Sequence, residues 1–225
     1  MPMLRLRLLR TASVVCILMA CVSSAGAQST FHDITVSYTY PGTYRTIRQA
    51  DFRNLTLHEF DENGPDERAQ LTNGKFKAEF QNVGGESVSV DSIYFLPSSP
   101  GTQAQYALVL SKWESVGGSS SQLGIAQVFE LSGDRLSVVQ QVDWDWHYGG
   151  PYEPFKRLFE TKTNTITFPS ARYLQGDAHC CVSAIDIVTM RWNGSRLLQT
   201  KVRTELSGYG KREGKTLDNS TDLSQ

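Results

Sequence analysis

Residues 143–148, Asp-Trp-Asp-Trp-His-Tyr, concentrate side chains that could carry chemistry. On a β-strand, successive side chains point to opposite faces, so Asp143, Asp145 and His147 would share one face and the aromatic rings the other. Paired carboxylates beside an imidazole can bind a cation or act as general acid and base. A row of aromatic rings can stack against sugar rings. The pattern therefore predicts either a glycan-directed hydrolytic site or a binding platform.

The two tryptophans of this segment have a simpler interpretation, which we favour. Aromatic residues at a period of two usually fill the core of a β protein, while the polar residues between them face water. Trp144 and Trp146 would then stabilise the fold rather than meet a ligand. The candidate binding residues of this segment are Asp143, Trp144, Asp145, Trp146 and His147.

A second cluster, Gly-Asp-Ala-His-Cys-Cys at 176–181, adds Asp177 and His179 as candidate binding residues. It is a poor metal site, because neighbouring side chains on a strand diverge and zinc-binding cysteines are usually two residues apart. We expect no metal and no cofactor. We expect Cys180 and Cys181 to be bonded to each other, with two buried thiols or an intermolecular bridge as the alternatives.

These side chains must be positioned by a β fold. Runs of Val, Ile, Thr and aromatic residues are separated by turns such as Asn73-Gly74 and Asn193-Gly194. The continuous apolar run 106–110 predicts a central strand covered on both faces. We expect a mainly β fold, an antiparallel sandwich or curved sheet. Strands are expected at 75–81, 88–96, 105–113, 123–131, 136–146, 165–168, 182–192 and 196–204, with Pro169 ending the sixth.

Helices should be few. Only residues 155–161 and 44–52 have a pattern compatible with a helix, so we expect one or two short ones. Residues 208–225 are polar and are expected to form a disordered tail. The chain thus divides into 1–27, a signal peptide, 28–207, a single mainly β domain, and the tail.

The first 27 residues are typical of an export signal. Three arginines precede a short apolar stretch, which ends in Ala25-Gly26-Ala27. The alternative is Leu18-Met19-Ala20-Cys21, which resembles a bacterial lipobox and would place a lipid anchor on Cys21. We favour cleavage after Ala27, which predicts a protein exported to the periplasm, the cell surface or the medium.

Charge and length exclude some functions. The chain has 225 residues and a net charge of −1, and loss of residues 1–27 leaves 198 residues with a net charge of −4. The sequence lacks the excess of basic residues that is typical of nucleic-acid-binding proteins. The processed chain also has no apolar run long enough to span a membrane. P-loop, dinucleotide-binding and nucleophile-elbow motifs are missing from the sequence.

One pattern near the C-terminus consists of Cys180-Cys181, a predicted β-strand and then Trp192-Asn193-Gly194. It resembles the C-terminal end of the LppP/LprE-type family of exported bacterial lipoproteins. In that family, Cys-Cys-Pro precedes a Trp-x-Gly turn. Residues 51–56 are similar to the D-F-x-N-F-T start of some members. Val182 replaces the proline, and Leu-Pro-Ser-Ser-Pro-Gly at 96–101 replaces an acidic motif. The resemblance covers roughly residues 50–200 and implies export and a single cysteine-stapled domain, but no reaction.

These observations favour an exported bacterial protein that acts as a non-enzymatic binding or structural module of the cell envelope. Its partner, an envelope glycan or a protein, is not specified by the sequence. The rival hypothesis is a secreted hydrolase that uses the acids at 143–147 and Asp177. A hydrolase should bring acids from both segments into one pocket, whereas a binding module should present an exposed surface or edge.

Overall fold

Antiparallel β-sheets make up most of the chain that the computed structural model describes, namely residues 28–29, 31–61, 64–80, 84–99, 101, 103–116, 122–145, 158–178 and 181–217. The strands are β1 (Gln28–Ser29), β2 (Phe31–Thr39), β3 (Thr56–Asp61), β4 (Gly64–Gln70), β5 (Lys75–Phe80), β6 (Gly84–Pro97), β7 (Ala104–Val116), β8 (Gln122–Ser132), β9 (Arg135–Asp145), β10 (Phe159–Glu160), β11 (Thr165–Tyr173), β12 (Ala184–Trp192) and β13 (Leu197–Leu206). All eight predicted strands are present, and the mainly β fold is confirmed.

Three sheets are formed. The central sheet has the strand order β2-β9-β8-β7-β6-β5. The second sheet has the order β1-β11-β12-β13, with the short β10 also paired to β11, and β3 with β4 forms a separate hairpin. Most neighbours are consecutive in the chain, as expected for strands joined by short turns.

Both faces of the central sheet are covered. Leu108 and Leu110 of β7 pack with Phe168 of the second sheet, whereas Val109 packs in the cluster that includes Leu57 of the β3–β4 hairpin. The predicted central strand in the run 106–110 is therefore confirmed. Each fully buried apolar side chain of this kind contributes about 1.5–3 kcal/mol, so the two interfaces hold the layers together.

Two neighbouring glutamines of β9 add polar ties between the layers. Gln140 accepts a hydrogen bond from the backbone nitrogen of Leu197 (2.8 Å) and donates one to its oxygen (2.9 Å). On the opposite face, Gln141 accepts from the nitrogen of Phe60 (3.2 Å) and donates to its oxygen (3.0 Å). We call Gln140 and Gln141 the paired glutamines. Each glutamine therefore provides hydrogen-bond partners for both backbone polar groups of one buried residue in a neighbouring layer.

The expectation of one or two short helices is confirmed by one short helix in the described residues, Gly208–Arg212, but the predicted helix positions are wrong. Within 44–52, only a 3-10 turn at Ile47–Gln49 forms. In 155–161, Phe159–Glu160 is strand β10, which pairs with Ile166 and Thr165 because Phe159 is buried between the sheets; residues 155–157 lie outside the described residues. Burial against a strand outweighs a weak helical pattern.

Pro169 does not end its strand, since β11 continues to Tyr173. Among the described residues, β10 pairs with Thr165 and Ile166, and β1 pairs with Arg172 and Tyr173. The middle of β11 is therefore left without a strand partner on that side. A residue that lacks a backbone N–H is tolerated at such an edge.

The tail predicted to be disordered begins with helix α1, Gly208–Arg212. The Ser207 hydroxyl accepts a hydrogen bond from the nitrogen of Gly210 (3.0 Å) and donates to the oxygen of Val182 (2.5 Å). A side chain at Gly210 would collide with the backbone oxygen of Ser183, so glycine permits this close approach. The prediction is wrong for residues 208–217, and residues 218–225 lie outside the described residues.

Candidate functional site

Asp143 and Trp144 occupy opposite faces of β9, as the sequence predicts. Trp144 is buried between the two sheets and stacks on Phe168, with ring centroids 4.1 Å apart and planes inclined by 20°. Gly124 lies opposite Trp144 in β8, and a Cβ there would collide with the indole. The core interpretation is therefore confirmed for Trp144. Trp146 and His147 lie outside the described residues.

Asp143 forms a pair with His32, which sits directly opposite it in strand β2. His32 Nδ1 lies 2.8 Å from Asp143 Oδ1, and Gln141 Nε2 donates to Asp143 Oδ2 at 3.2 Å. The carboxylate side chain is 9% exposed and the imidazole 63% exposed. The arrangement places a buried acid behind an imidazole that reaches solvent.

The protonation of Asp143 reflects two opposing influences. Burial raises the pKa of its carboxyl above the ordinary value, because the charged form loses hydration. The hydrogen bonds from His32 and Gln141, and the charge of a protonated His32, lower the pKa, but less than burial raises it.

A chain of hydrogen bonds fixes the position of Asp143. Gln141 is held by both backbone polar groups of Phe60 and by Gln127, whose Nε2 lies 3.0 Å from Gln141 Oε1. Gln127 also donates to the backbone oxygen of His58 at 2.5 Å. The acid is thus anchored to the β3–β4 hairpin, and both of its oxygens have donors.

The chemistry open to this pair is that of a carboxylate-oriented imidazole. With Nδ1 donating to Asp143, Nε2 of His32 is left as a proton acceptor toward solvent. Asp145, two residues along the same strand, is partly buried at the end of β9. Asp143 itself is occupied by its two donors and is placed to orient His32 rather than to act on a ligand.

Asp177 lies in the loop between β11 and β12 and holds that loop closed. It accepts hydrogen bonds from the nitrogens of Leu174 (2.8 Å) and Ser183 (2.9 Å) and from the Ser183 hydroxyl (2.5 Å). Lys215 Nζ lies 3.7 Å from Asp177 Oδ1. Burial alone would raise the pKa of Asp177, but these donors and the Lys215 charge together lower it.

The two predicted acidic segments do not share a site in the described residues. Asp143 bonds to β2 and β9, whereas Asp177 bonds to the β11–β12 loop and to the segment after α1. His179 and Cys180 lie outside the described residues. No disulfide is found within the described part, where Cys181 is the single cysteine, so a bond between Cys180 and Cys181 stays a prediction.

The second sheet presents an exposed surface that the sequence did not single out. Its inner face packs on the central sheet, and alternation along the strands turns the other side chains outward. We call this surface the outer face, and it consists of Glu160, Thr165, Thr167, Pro169, Ile185, Ile187, Thr189, Arg191, Leu198, Lys201, Arg203 and Glu205.

Strand register arranges the outer face in rows. Thr165, Arg191 and Leu198 form one row, and Thr167, Thr189 and Lys201 form the next. The hydroxyl oxygens of Thr167 and Thr189 are 3.2 Å apart, and those of Thr163 and Thr165 are 2.7 Å apart.

Strand β13 forms the edge of this face. The large apolar side chains that remain exposed in the described residues are Leu198 (47%) and Val202 (37%), and both belong to β13.

The outer face is also basic. Residues 191–217 contain seven Lys or Arg and two Glu, a net charge of +5 in a chain whose total is −1, and three of the seven, Arg191, Lys201 and Arg203, lie on the outer face. Arg191, Lys201 and Arg203 are exposed, and Arg203 forms an ion pair with Glu205 at 2.7 Å. The charge asymmetry is readable in the sequence, but the alignment of these residues on one face is not, because it depends on strand register.

Searches of protein-family models, curated proteins and solved structures find no match for this chain. In the described residues, no cluster of three or more His, Cys, Asp or Glu side chains is arranged to hold a metal ion. No helix in that same part is long and apolar enough to span a membrane.

Proposed function

We propose that this protein is an exported, non-enzymatic binding module of the bacterial cell envelope, and that it binds through the outer face. The observation that carries the proposal is the exposed, basic outer face with Leu198 at its edge. Exposed apolar and charged side chains on one flat surface are typical of interaction sites.

The use of the candidate acids supports a binding role over catalysis. The Asp177 carboxylate accepts hydrogen bonds from the backbone of the loop that it closes. The Asp143 carboxylate accepts hydrogen bonds from His32 and Gln141. Trp144 fills the core. The aromatic platform and the converging acids that a glycosidase needs are therefore not supplied by Trp144, Asp143 and Asp177.

Export is part of the proposal. The first described strand, β1, starts at Gln28 and pairs with Tyr173. Cleavage after Ala27 would leave this strand intact. Lipidation of Cys21 would instead retain six further residues, 22–27, as a tether. Mass spectrometry of the protein from its native host distinguishes the two, because only the lipoprotein carries a diacylglyceryl group.

The test of binding is co-sedimentation of the exported protein with cell-envelope fragments of its host. Lys201→Glu should lower the sedimenting fraction about fivefold or more at low salt, since it reverses the charge of an exposed cation on the outer face. The matched control is Lys75→Glu, which reverses an exposed lysine on β5, an edge strand of the other sheet. Equal loss in both variants, or no sedimentation of the unaltered protein, would refute the proposal.

The His32–Asp143 pair supports one second candidate, a secreted hydrolase in which His32 Nε2 is the general base. Asp143→Asn is the sharpest variant, because an amide can donate to Nδ1 and thereby move the imidazole proton to Nε2, which removes the base. Hydrolysis of nitrophenyl glycosides or esters that falls by about 100-fold or more in both Asp143→Asn and His32→Ala would establish this activity. Turnover that both variants retain would exclude it.

A further inference from the structure

We infer that the outer face binds the phosphate groups of an anionic phosphodiester-linked polymer of the cell envelope. This inference rests on the proposed binding function and specifies its ligand. It draws on three properties of the outer face: the sign of its charge, the hydroxyl pairs beside the basic residues, and the repeat of both along the strands.

The basic residues favour an anionic partner. Arg191, Lys201 and Arg203 project from the same face, which also carries two acids, Glu160 and Glu205. The Glu160 carboxylate accepts a hydrogen bond from the backbone nitrogen of Lys162 (2.9 Å), at the end of the face away from Lys201. The charge of Arg203 is partly neutralised by its ion pair with Glu205. Arg191 and Lys201 are therefore the two cations that should attract an anion most strongly. Charge-assisted hydrogen bonds to an anion are about twice as strong as neutral ones.

The threonine hydroxyls favour phosphate over carboxylate. Lys201 lies opposite Thr189, whose hydroxyl is 3.2 Å from that of Thr167. Arg191 lies opposite Thr165, whose hydroxyl is 2.7 Å from that of Thr163. Lys201 and Arg191 therefore each lie opposite a threonine whose hydroxyl is paired with that of a second threonine. A phosphodiester offers several acceptor oxygens in different directions, so it can engage a cation and a hydroxyl together.

The spacing favours a polymer over a single ion. Arg191 and Thr189 are two residues apart on β12, which separates their rows by about 6.8 Å along the strand. Successive phosphates of an extended phosphodiester chain have a comparable separation. Two rows of cation and hydroxyls can thus take two neighbouring phosphates, and simultaneous attachment raises the overall affinity above that of either row alone.

Leu198, opposite Arg191, and Ile187, opposite Arg203, add apolar surface beside the cations. A polymer with a polyol or sugar backbone brings carbon-bound hydrogens that can cover such side chains. A lipid bilayer would instead require a larger group of exposed apolar side chains than Leu198 and Val202 provide in the described residues.

The experiment measures the affinity of the exported protein for three probes: poly(glycerol phosphate), poly-L-glutamate and phosphatidylglycerol vesicles. We expect poly(glycerol phosphate) to bind most tightly, with an affinity that falls as salt is added. Arg191→Glu combined with Lys201→Glu should weaken binding by at least about tenfold. The matched control, Lys75→Glu combined with Lys77→Glu on β5, should leave the dissociation constant within about twofold.

The hydroxyls are tested by Thr167→Val combined with Thr189→Val, which keeps the β-branched shape on the sheet surface. This variant should bind poly(glycerol phosphate) about tenfold more weakly while its affinity for poly-L-glutamate stays within about twofold. Unchanged melting temperatures of all variants verify that the fold is intact.

Three results would overturn the inference. They are equal affinity for poly-L-glutamate with no effect of the Thr variants, tighter binding of the vesicles than of poly(glycerol phosphate), and no binding of poly(glycerol phosphate) at all. If any of them occurs while envelope sedimentation still depends on Lys201, the ligand class is wrong and the binding function stands. If envelope sedimentation is also absent, the binding function falls with it.

Discussion

Asp143 and Asp177 are both nearly withdrawn from solvent, with side chains 9% and 1% exposed, yet their pKa values move in opposite directions. Asp177 has the lowered pKa, and Asp143 has the raised one. The difference lies in the donors. Asp177 receives three hydrogen bonds and faces Lys215, while Asp143 receives two, one of them from a largely exposed imidazole. Burial raises the pKa of both carboxyls, and only at Asp177 do the hydrogen-bond donors and the Lys215 charge outweigh it.

The comparison also separates two roles for a buried acid. Asp177 ties together a loop through backbone nitrogens, so its removal affects the fold directly. Asp143 is the third residue in a series of side-chain hydrogen bonds that starts at Gln127 and continues through Gln141. Its own hydrogen bond then fixes the orientation of the His32 imidazole. The first acid stabilises the molecule, and the second positions a group that reaches solvent.

The largest expected effect is on stability. Asp177→Ala should lower the free energy of unfolding by about 3 kcal/mol, because it leaves the nitrogens of Leu174 and Ser183 without their acceptor. Asp143→Ala should cost less, about 1–2 kcal/mol, since His32 can bond to water instead and only one buried donor, the side-chain amide of Gln141, loses its acceptor. Urea unfolding at pH 7 measures both, with the exposed Asp134→Ala as the control. Equal losses at the two sites would contradict the assigned roles.

The next effect is the pH dependence of stability, which should have opposite signs at the two acids. The lowered pKa of Asp177 makes its stabilisation present above the unfolded value of about 3.9 and lost as the pH falls through the folded pKa. The raised pKa of Asp143 makes its stabilisation present below about 3.9 and lost as the pH rises through the folded pKa.

Urea unfolding between pH 3 and 7 tests whether the stability contributions of Asp143 and Asp177 change with pH in opposite directions. The free-energy difference between the unaltered protein and Asp177→Asn should grow with rising pH, and the difference from Asp143→Asn should shrink. Slopes of the same sign would show that the donors of Asp177 do not outweigh its burial.

A smaller effect is expected from the Lys215 charge. Lys215→Met should lower the free energy of unfolding by about 0.5 kcal/mol or less, because the ammonium is partly exposed and 3.7 Å from Asp177. A double-mutant cycle with Asp177→Asn isolates the interaction, and Lys75→Met on β5 is the control. A coupling above about 1.5 kcal/mol would mean that Lys215, rather than the three hydrogen-bond donors, sets the charge of Asp177.

The smallest effect is expected from the cysteines beside this loop. Neighbouring cysteines close a minimal ring, so a bond between Cys180 and Cys181 would add little entropy-based stability. Replacing both by Ser should shift the melting temperature by no more than about 2 °C, because Asp177 already holds the loop.

Alkylation of the protein isolated from its native host, under denaturing and non-reducing conditions, shows whether that bond is present. Two labels per chain would disprove the bond, and a covalent dimer on a non-reducing gel would indicate an intermolecular bridge. A large fall in melting temperature in the double variant would instead mean that the cysteines hold the loop.

Local pattern was enough to predict some of these features. Runs rich in Val, Ile, Thr and aromatic residues, separated by glycine-containing turns, predicted β5, β8, β9 and the last hairpin, and the uninterrupted run 106–110 predicted a strand with two covered faces. Asp143 and Trp144 were assigned to opposite faces for the same reason. These features depend on contacts between residues that are close in the chain.

Other features depend on register between distant segments. His32 meets Asp143 across 111 residues, and nothing near His32 indicates that partner. Strand β4 carries Gly64, Pro65 and several charged residues, a composition typical of a loop, and forms because it pairs with β3. Helix α1 has two glycines in five residues, and packing against Ser183 stabilises it where its composition does not.

The paired glutamines have a consequence for how this architecture can diverge. Gln140 and Gln141 bond to backbone atoms of Leu197 and Phe60, and those atoms are common to nearly every amino acid. The outer layers are therefore free to exchange side chains at positions 197 and 60 without losing either tie, provided that the replacement is apolar and is not proline. Evolutionary constraint from these ties falls instead on two adjacent residues of a single strand.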